Sequence, residues 1–311
     1  MFFSVVIPLY NQAGTVARTI QSILEQTVQD YEIIVVNDGS VDSGPSIVEA
    51  FDDPWIRLIH QENGGVSVAR NRGIEESAYD LIAFLDADDE WLPKYLENIK
   101  RLATLFPQCD VYATRYFYHE PGGRKYVAKI RGIPQDFEGV LHDYFGIAVC
   151  SNPPAWTGTV CVRKAALNWI GGFPPCVASG EDLLTWARLA AYFMIAYSME
   201  PLAIYHLDDA ATYRDRPSRV PEENDVVGRE LECLFRETSS PAKNALGRYC
   251  SHWHKMRCSC YLRLGMQHRA RREIEAARRY GLDSSLFAYL CVSFLPEAII
   301  RKIFRYVMSF R

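Results

Sequence analysis

Three carboxylates, Asp86, Asp88 and Asp89, crowd the stretch that directly follows the apolar run Leu81 to Leu85. Like charges this close raise one another's pKa and repel unless a cation neutralises them. Carboxylate oxygens suit Mg2+ or Mn2+, which keep positions free for substrate phosphates and water. Asp89 has a second reading as a helix-start residue, because Trp91 and Pro93 follow it. Two more polar clusters have the same setting: Pro8-Leu9-Tyr10-Asn11 ends one apolar run and Asn37-Asp38-Gly39-Ser40 ends another. Any one of these clusters is ordinary turn or capping chemistry. Three of them at neighbouring strand ends point to a ligand crevice, because open α/β sheets build such crevices at the carboxyl ends of their strands.

The elements that must position these residues are legible as alternating short apolar runs and amphipathic stretches. Strands are expected at Phe3–Leu9, Tyr31–Val36, Ile56–Ile59, Leu81–Leu85 and Val111–Tyr118. Val16, Ile20, Ile23 and Leu24 repeat at helical spacing, as do Tyr95, Leu96, Ile99, Leu102, Ala103 and Phe106 after Pro93. This is the rhythm of βα units around a mostly parallel sheet, an α/β fold. Residues 119–156 lose it and read as a loop-rich insertion. Thr157–Val162 and Ile195–Tyr197 read as returning strands and Leu183–Ala191 as a helix, and Tyr213–Asn224 reads as a linker to a helical region. Within that region Leu262 to Gly281 suggests a helical hairpin.

Five motifs, in order and spacing, resemble family 2 of the glycosyltransferases, inverting enzymes with the Rossmann-like GT-A fold. They are Val5-Val6-Ile7-Pro8-Leu9-Tyr10-Asn11, Val35-Val36-Asn37-Asp38-Gly39-Ser40, Asn63-Gly64-Gly65 through Gly73, Phe84-Leu85-Asp86-Ala87-Asp88-Asp89, and Gly171-Gly172-Phe173 with Gly180-Glu181-Asp182. The resemblance spans roughly residues 3–213 and implies a catalytic domain over 1–213 followed by a helical C-terminal region over 214–311. It further implies a nucleotide-sugar donor, usually a UDP-sugar, a divalent ion at the D-x-D motif, and transfer to an acceptor hydroxyl with inversion.

Carried over residue by residue, the resemblance makes Asp38 an acceptor for the uracil ring and Pro8, Tyr10 and Asn11 the wall around the nucleoside. Gly64 and Gly65 let the backbone approach the nucleotide. Arg70 either reaches the nucleotide or braces the acidic crevice by an ion pair. Asp86 and Ala87 fall near the ribose and the metal's water shell, and Asp88 is implied as the direct ligand. Asp182 is the implied catalytic base, with Glu181 on the acceptor side. Taken alone, Gly180-Glu181-Asp182 reads as an ordinary acidic helix start, and only the upstream motifs reverse that reading. His206 stands where many relatives have arginine, and reads either as an extra metal ligand or as a structural imidazole.

Composition sets the outer limits. The 311 residues carry a formal net charge of −4 and 49% hydrophobic residues, which argues against disorder and against binding nucleic acid by bulk charge. From residue 241 onward, however, fourteen Lys or Arg face four acids. Such a split suggests an acidic catalytic body and a basic tail. Nine cysteines, without paired-motif spacing apart from one C-x-C, read as free thiols in a reducing compartment, and Met1 to Leu9 lacks a signal-peptide pattern. The expectation is a cytoplasmic protein, peripheral on the cytoplasmic face of a membrane.

That membrane expectation rests on the tail. After Pro296, the residues Ile299, Ile300, Ile303, Phe304, Val307 and Met308 share one helical face, with Arg301, Lys302, Arg305 and Arg311 elsewhere. Such a helix suits an anionic membrane beside a polyprenyl-diphosphate-linked glycan acceptor, or else packs inward on the protein. Cys250, His252, His254, Cys258 and Cys260 imitate a zinc cluster. On a helix, however, 250 and 258 lie about 12 Å apart along the axis, beyond the reach of one ion, so they read as helix packing. The rival functions are a nucleotidyltransferase, which needs a basic glycine-rich loop after the first strand that is missing here, and an inactive adaptor, which would have broken motifs.

Overall fold

The computed structural model describes residues 1–207, 217, 219–239 and 242–308, with the side chains of 307 and 308 excepted. The chain divides into two compact units, Met1–His206 and Leu207–Arg311. The expected boundary at 213/214 and the start of the expected linker lie outside the described residues.

In the first unit, β1 (Phe3–Leu9), β2 (Tyr31–Asp38), β3 (Ile56–Gln61) and β4 (Leu81–Phe84) form a parallel group in the order β3-β2-β1-β4. β1 sits between β2 and β4, with Val5 opposite both Ile33 and Ala83. β2 is buried along its whole length, which is why it reads as an unbroken apolar run rather than an alternating one. The sheet continues through β9 (Val160–Arg163), β6 (Val111–His119), β10 (Ile195–His206) and the two-residue β5 (Glu90–Trp91). β9 runs antiparallel to both β4 and β6, and β6 and β10 are parallel, so most strands share one direction, as expected of this α/β class.

Helices cover both faces. Val16, Ile20 and Ile23 of α1 (Val16–Leu24) and Leu96, Ile99 and Leu102 of α4 (Tyr95–Leu105) pack with Val5, Ile7 and Ile33 in one core. On the other face α3 (Val66–Glu76) lies on β1 and β2. Gly73 makes that approach feasible, since a Cβ there would stand 2.2 Å from Val6 Cγ1, and valine is stiff at χ1. The unit is completed by α2 (Gly44–Glu49), α5 (Tyr144–Cys150), α6 (Lys164–Ile170) and α7 (Glu181–Tyr192).

Four details of this unit differ from the sequence expectation, the first being that Thr157–Thr159 of the expected strand Thr157–Val162 form a 3-10 turn and the strand runs Val160–Arg163. The stretch 119–156 contains β7 (Lys125–Val127), β8 (Glu138–Val140) and α5 as well as loop. β10 is twelve residues long rather than three, crossing Pro201 by register shifts on either side of it. Proline cannot donate to a ladder and so sits at irregularities, which hides the continuation from a periodicity reading. β5 emerges directly from the acidic turn and pairs antiparallel with β10, Ile204 opposite Glu90. Two residues carry no readable period.

The second unit is helical: α8 (Val226–Glu237), α9 (Ala242–Arg263), α10 (Gln267–Arg278), α11 (Ser284–Val292) and α12 (Glu297–Met308). The expected hairpin is α9–α10, turned at Gly265 with φ +76°. Of the two readings of the α12 stripe, membrane docking or inward packing, inward packing is seen at two positions. Ile300 is fully buried in a core with Tyr261, Leu262, Ile274 and Leu286, and Phe304 packs against that core. Ile299 of the same stripe stays 45% exposed, and the side chains of Val307 and Met308 lie outside the described residues.

All nine cysteines are free. The zinc imitation does lie on one helix, α9, where Cys250 and Cys258 are buried. His254 belongs instead to a polar cluster, its Nδ1 2.7 Å from Glu273 Oε2. Among the described residues, Asp225, His254 and Glu273 are the one acidic and imidazole set whose ligand atoms converge. Arg257 already fills it, with Nε 2.8 Å from Glu273 and 3.4 Å from Asp225, so the positive charge is supplied by the chain itself.

Candidate active site

The acidic turn after β4 is built from backbone hydrogen bonds outward. Leu85 N–H donates to Val6 O and Asp89 N–H closes the turn on Asp86 O at 3.1 Å. From α1, Thr19 Oγ1 donates to Asp89 O at 2.8 Å, and Arg18 Nη2 donates to Asp88 O at 2.6 Å while its Nε pairs with Glu90 at 3.1 Å. Asp89 points inward, 1% exposed, and its Oδ1 accepts from the His206 backbone N–H at 2.9 Å. It ties the turn to β10; α4 begins later, with Lys94 at its N-cap. Burial first, then the charges of Asp88 and Asp86, push the Asp89 carboxyl well above the usual range, and its Oδ2 has no hydrogen-bond partner. A buried carboxyl with an unsatisfied oxygen, beside two further carboxylates on the same turn, fits a site for a divalent cation. Asp86 and Asp88 are partly exposed on this turn, and Ala87 between them is buried.

His206 lies next to the turn with both ring nitrogens engaged. Nε2 is 2.6 Å from Glu90 Oε1 and Nδ1 is 3.1 Å from His119 Nδ1. Its burial and the nearby Arg18 lower its pKa against the opposing pull of Glu90, which favours a neutral ring. The structure thus places the imidazole in a chain from Arg18 through Glu90 to His119. Sequence reasoning missed Arg18, Glu90 and His119, none of which stands in a motif.

Arg70 is the hub of the crevice. Its guanidinium, 4% exposed, donates from Nη2 to Asp86 Oδ1 at 2.8 Å and from Nη1 to Glu181 Oε1 at 3.1 Å. Burial alone would lower its pKa, but Asp86 and Glu181 outweigh it and hold the group charged. Of the two sequence readings, this geometry is the brace. The Arg70 guanidinium lies 5.1 Å from the Phe173 ring centroid, and Asn71 grips Phe173 by its backbone N–H and C=O, each at 2.8 Å. Phe173 is itself buried edge-on against Phe84 and Trp186. Gly171-Gly172-Phe173 therefore fixes Arg70 by packing, and Arg70 fixes the Glu181-Asp182 helix start against the acidic turn.

Replacing Arg70 with methionine strands Asp86 and Glu181 without a counter-charge. Removing one partner of a buried ion pair costs about 3–5 kcal/mol. The expected result is a loss of that size in urea denaturation, and unchanged stability in Arg70→Met would refute the bracing role.

Asp182 stands at the start of α7, half-buried but walled by protein. Its Oδ1 accepts from the Leu183 N–H at 2.7 Å. Burial and the adjacent Glu181 push its pKa up to about 7, against the lowering effect of Arg70. A carboxylate with pKa near neutrality is suited to take a proton in a reaction at that pH.

Asp38 is buried at the end of β2, and the glycine loop wraps around it. Oδ1 accepts from Gln61 Nε2 at 2.7 Å and Gly64 N–H at 2.8 Å, and Oδ2 accepts from Gly65 N–H at 2.9 Å. A carboxylate oxygen accepts about two hydrogen bonds, so Oδ2 retains one accepting position. Gly65 has φ +89°, a conformation that opens space only for glycine, and no atom lies within 4 Å of where its Cβ would be. Gln61 is a further residue the sequence reading did not single out.

Beyond β1, Asn11 adopts φ +52°, which asparagine tolerates. Its N–H donates to Ser40 Oγ at 3.1 Å and its Oδ1 accepts from Val41 N–H at 2.9 Å, binding the first two polar clusters together. Pro8 lies within β1, and Tyr10 follows it, 52% exposed. The expected site residues thus gather into three groups: Asn11 with Ser40, Asp38 with Gly64 and Gly65, and Asp86 with Arg70 and Glu181, next to Asp182 in sequence, while Asp88 lies on the same turn as Asp86.

Residues 4–157 match the sequence profile described as Glycosyl transferase family 2. An uncharacterized glycosyltransferase of Escherichia coli (strain K12), YibD, is 44% identical over 102 residues, covering 32% of this chain and 30% of that protein. The putative glycosyltransferase EpsH of Bacillus subtilis (strain 168) is 40% identical over 102 residues, again 32% and 30% of the two chains. The matched stretch is thus about a third of the length of these curated relatives. Among solved structures, S. aureus TarS 1-349 in complex with UDP-GlcNAc superposes with TM-score 0.72 at 18% identity, covering 100% of this chain and 93% of that one. A mannosyltransferase from Pyrobaculum calidifontis, in complex with GDP-Man and Mn2+, superposes with TM-score 0.57 at 18% identity, covering 99% and 85%.

Proposed function

Residues 4–157 of this chain belong to glycosyl transferase family 2, and from that premise we propose an inverting transfer of a sugar from a UDP-sugar to an acceptor hydroxyl. The observation that carries the reading is the Arg70 bridge. It holds the acidic turn after β4 and the Glu181-Asp182 helix start in one crevice, although they are far apart in the chain.

In this reading the nucleoside lies along Pro8, Tyr10 and Asn11, with the open position on Asp38 Oδ2 facing its base and the Gly64-Gly65 backbone beside it. Asp86, Ala87 and Asp88 face the diphosphate. Asp86 and Asp88 are the residues that would hold Mn2+ or Mg2+, and such an ion would supply positive charge to the leaving diphosphate. Asp182 takes the proton of the acceptor hydroxyl as that oxygen attacks the anomeric carbon from the face opposite the leaving group, which inverts the centre. Glu181 borders the acceptor side, and Arg70 keeps both carboxylates in place. His206 supports the turn through Asp89 and Glu90.

The neighbours bound to UDP-GlcNAc and to GDP-Man with Mn2+ support a nucleotide-sugar donor and a divalent ion. A nucleotidyltransferase is disfavoured because the loop after β1, Tyr10-Asn11-Gln12, carries no Lys or Arg to hold a triphosphate. For the acceptor we propose a glycan on a polyprenyl diphosphate, at the cytoplasmic face of a membrane to which the protein binds peripherally. No helix among the described residues is long and apolar enough to cross a membrane.

The test is a panel of UDP- and GDP-sugars with Mn2+, followed by the anomeric configuration of the product by NMR. Release of UDP with an inverted glycoside is expected. Formation of a nucleotide sugar from UTP and a sugar phosphate, without transfer, would overturn the reading.

A further inference from the structure

We propose that the outward face of α11, with the turn that follows it, is a docking surface for an anionic lipid bilayer. α11 carries seven consecutive apolar residues, Leu286 to Val292, yet Leu286 is its only fully buried residue. Leu286, Tyr289 and Val292 pack into the core of the helical unit. Phe287, Leu290, Cys291 and Phe294, spaced i, i+3, i+4 and i+7, project the other way, with Phe287 68% and Phe294 65% exposed. A surface helix of a water-soluble protein ordinarily presents a polar outer face. This one is apolar on both sides.

The charges around the face identify its occupant. No acid occurs between Asp283 and Glu297. Those two are themselves paired, with Lys255 and Arg301 respectively. Arg271 lies 4.2 Å from the Phe294 ring centroid, so a guanidinium borders the apolar patch directly. Arg272, Lys302 and Arg305 are exposed in the same unit. On α12, Ile299, Lys302 and Tyr306 share an outward face, while Ile300 and Phe304 turn to the core. Apolar side chains rimmed by cations match the boundary between acyl chains and anionic headgroups. A second copy of the chain docked face to face would instead set cations against cations. The surface deepens the peripheral-membrane reading above but rests on different residues from the donor crevice.

The test is co-sedimentation of the full chain with vesicles of phosphatidylglycerol and phosphatidylcholine, and with phosphatidylcholine alone. The comparison variant is Phe287→Ser with Phe294→Ser, two exposed positions whose loss leaves the core intact. The wild-type chain is expected to bind the phosphatidylglycerol vesicles, less at high salt, with the variant bound about tenfold more weakly. Equal binding of the two proteins, or no binding by the wild type, would overturn the proposal. So would a dimer in analytical ultracentrifugation that the variant abolishes. Both proteins are also titrated with UDP. Failure of UDP to bind either one would defeat the donor assignment and leave the vesicle result standing.

Discussion

Asp182→Asn is expected to lower sugar transfer roughly a thousandfold while donor affinity changes by no more than about twofold. The amide keeps the size of the side chain and its place at the start of α7, but cannot take a proton. A group that acts only as the acceptor attacks lowers kcat without loosening the donor. The same residue sets a pH dependence. Its pKa, raised to about 7 by burial and by Glu181 against the pull of Arg70, leaves it protonated and idle below that pH. Wild-type kcat/KM is therefore expected to fall about tenfold per pH unit below neutrality, and the residual rate of Asp182→Asn should lack that limb. Donor affinity that falls as far as the rate would reassign Asp182 to binding. An acid limb retained in the variant would reassign the base.

Asp88→Ala is expected to lose nearly all turnover, on the order of a hundredfold or more, because the leaving diphosphate then lacks its counter-charge. EDTA should do the same to the wild-type protein, with activity restored by Mn2+. The carboxylate cluster explains the size of the effect. Asp86, Asp88 and Asp89 crowd one turn, with Asp86 and Asp88 partly exposed on it and Asp89 buried against His206, so loss of the Asp88 carboxylate removes one of the two groups proposed to hold the cation. Full activity of Asp88→Ala in excess EDTA would remove the metal from the mechanism.

The catalytic unit was legible because its signals are local. Unbroken apolar runs such as Ile33 to Val36 mark buried parallel strands, and strands of that kind place their polar ends on one rim of the sheet. Asp38 and the Asp86 turn could therefore be expected at a crevice from residue types and order, whereas Glu181-Asp182, taken alone a helix start, was brought there only by the family resemblance. Short or irregular elements carry no such signal. β5 is two residues long, and β10 continues past Pro201 by register shifts, so neither β5 nor the continuation of β10 beyond Tyr197 could be read before the fold was known.

Tertiary structure alone decided the partnerships. Arg70 finds Glu181 across 111 residues, and Asp89 finds the His206 backbone across 117. Which strands become neighbours determines such contacts, and no periodicity in the sequence specifies that. It also gave Arg70 its bracing contacts, because its guanidinium lies wedged between Phe173 and two carboxylates. The tail shows the same division. An apolar stripe on α12 states that a face must leave water, but not what will cover it. In the fold Ile300 is covered by this chain's own helices, while Phe287 and Phe294, in a segment with no amphipathic pattern, remain outside. Burial is settled by the whole set of competing surfaces, and a stretch of sequence carries only its own.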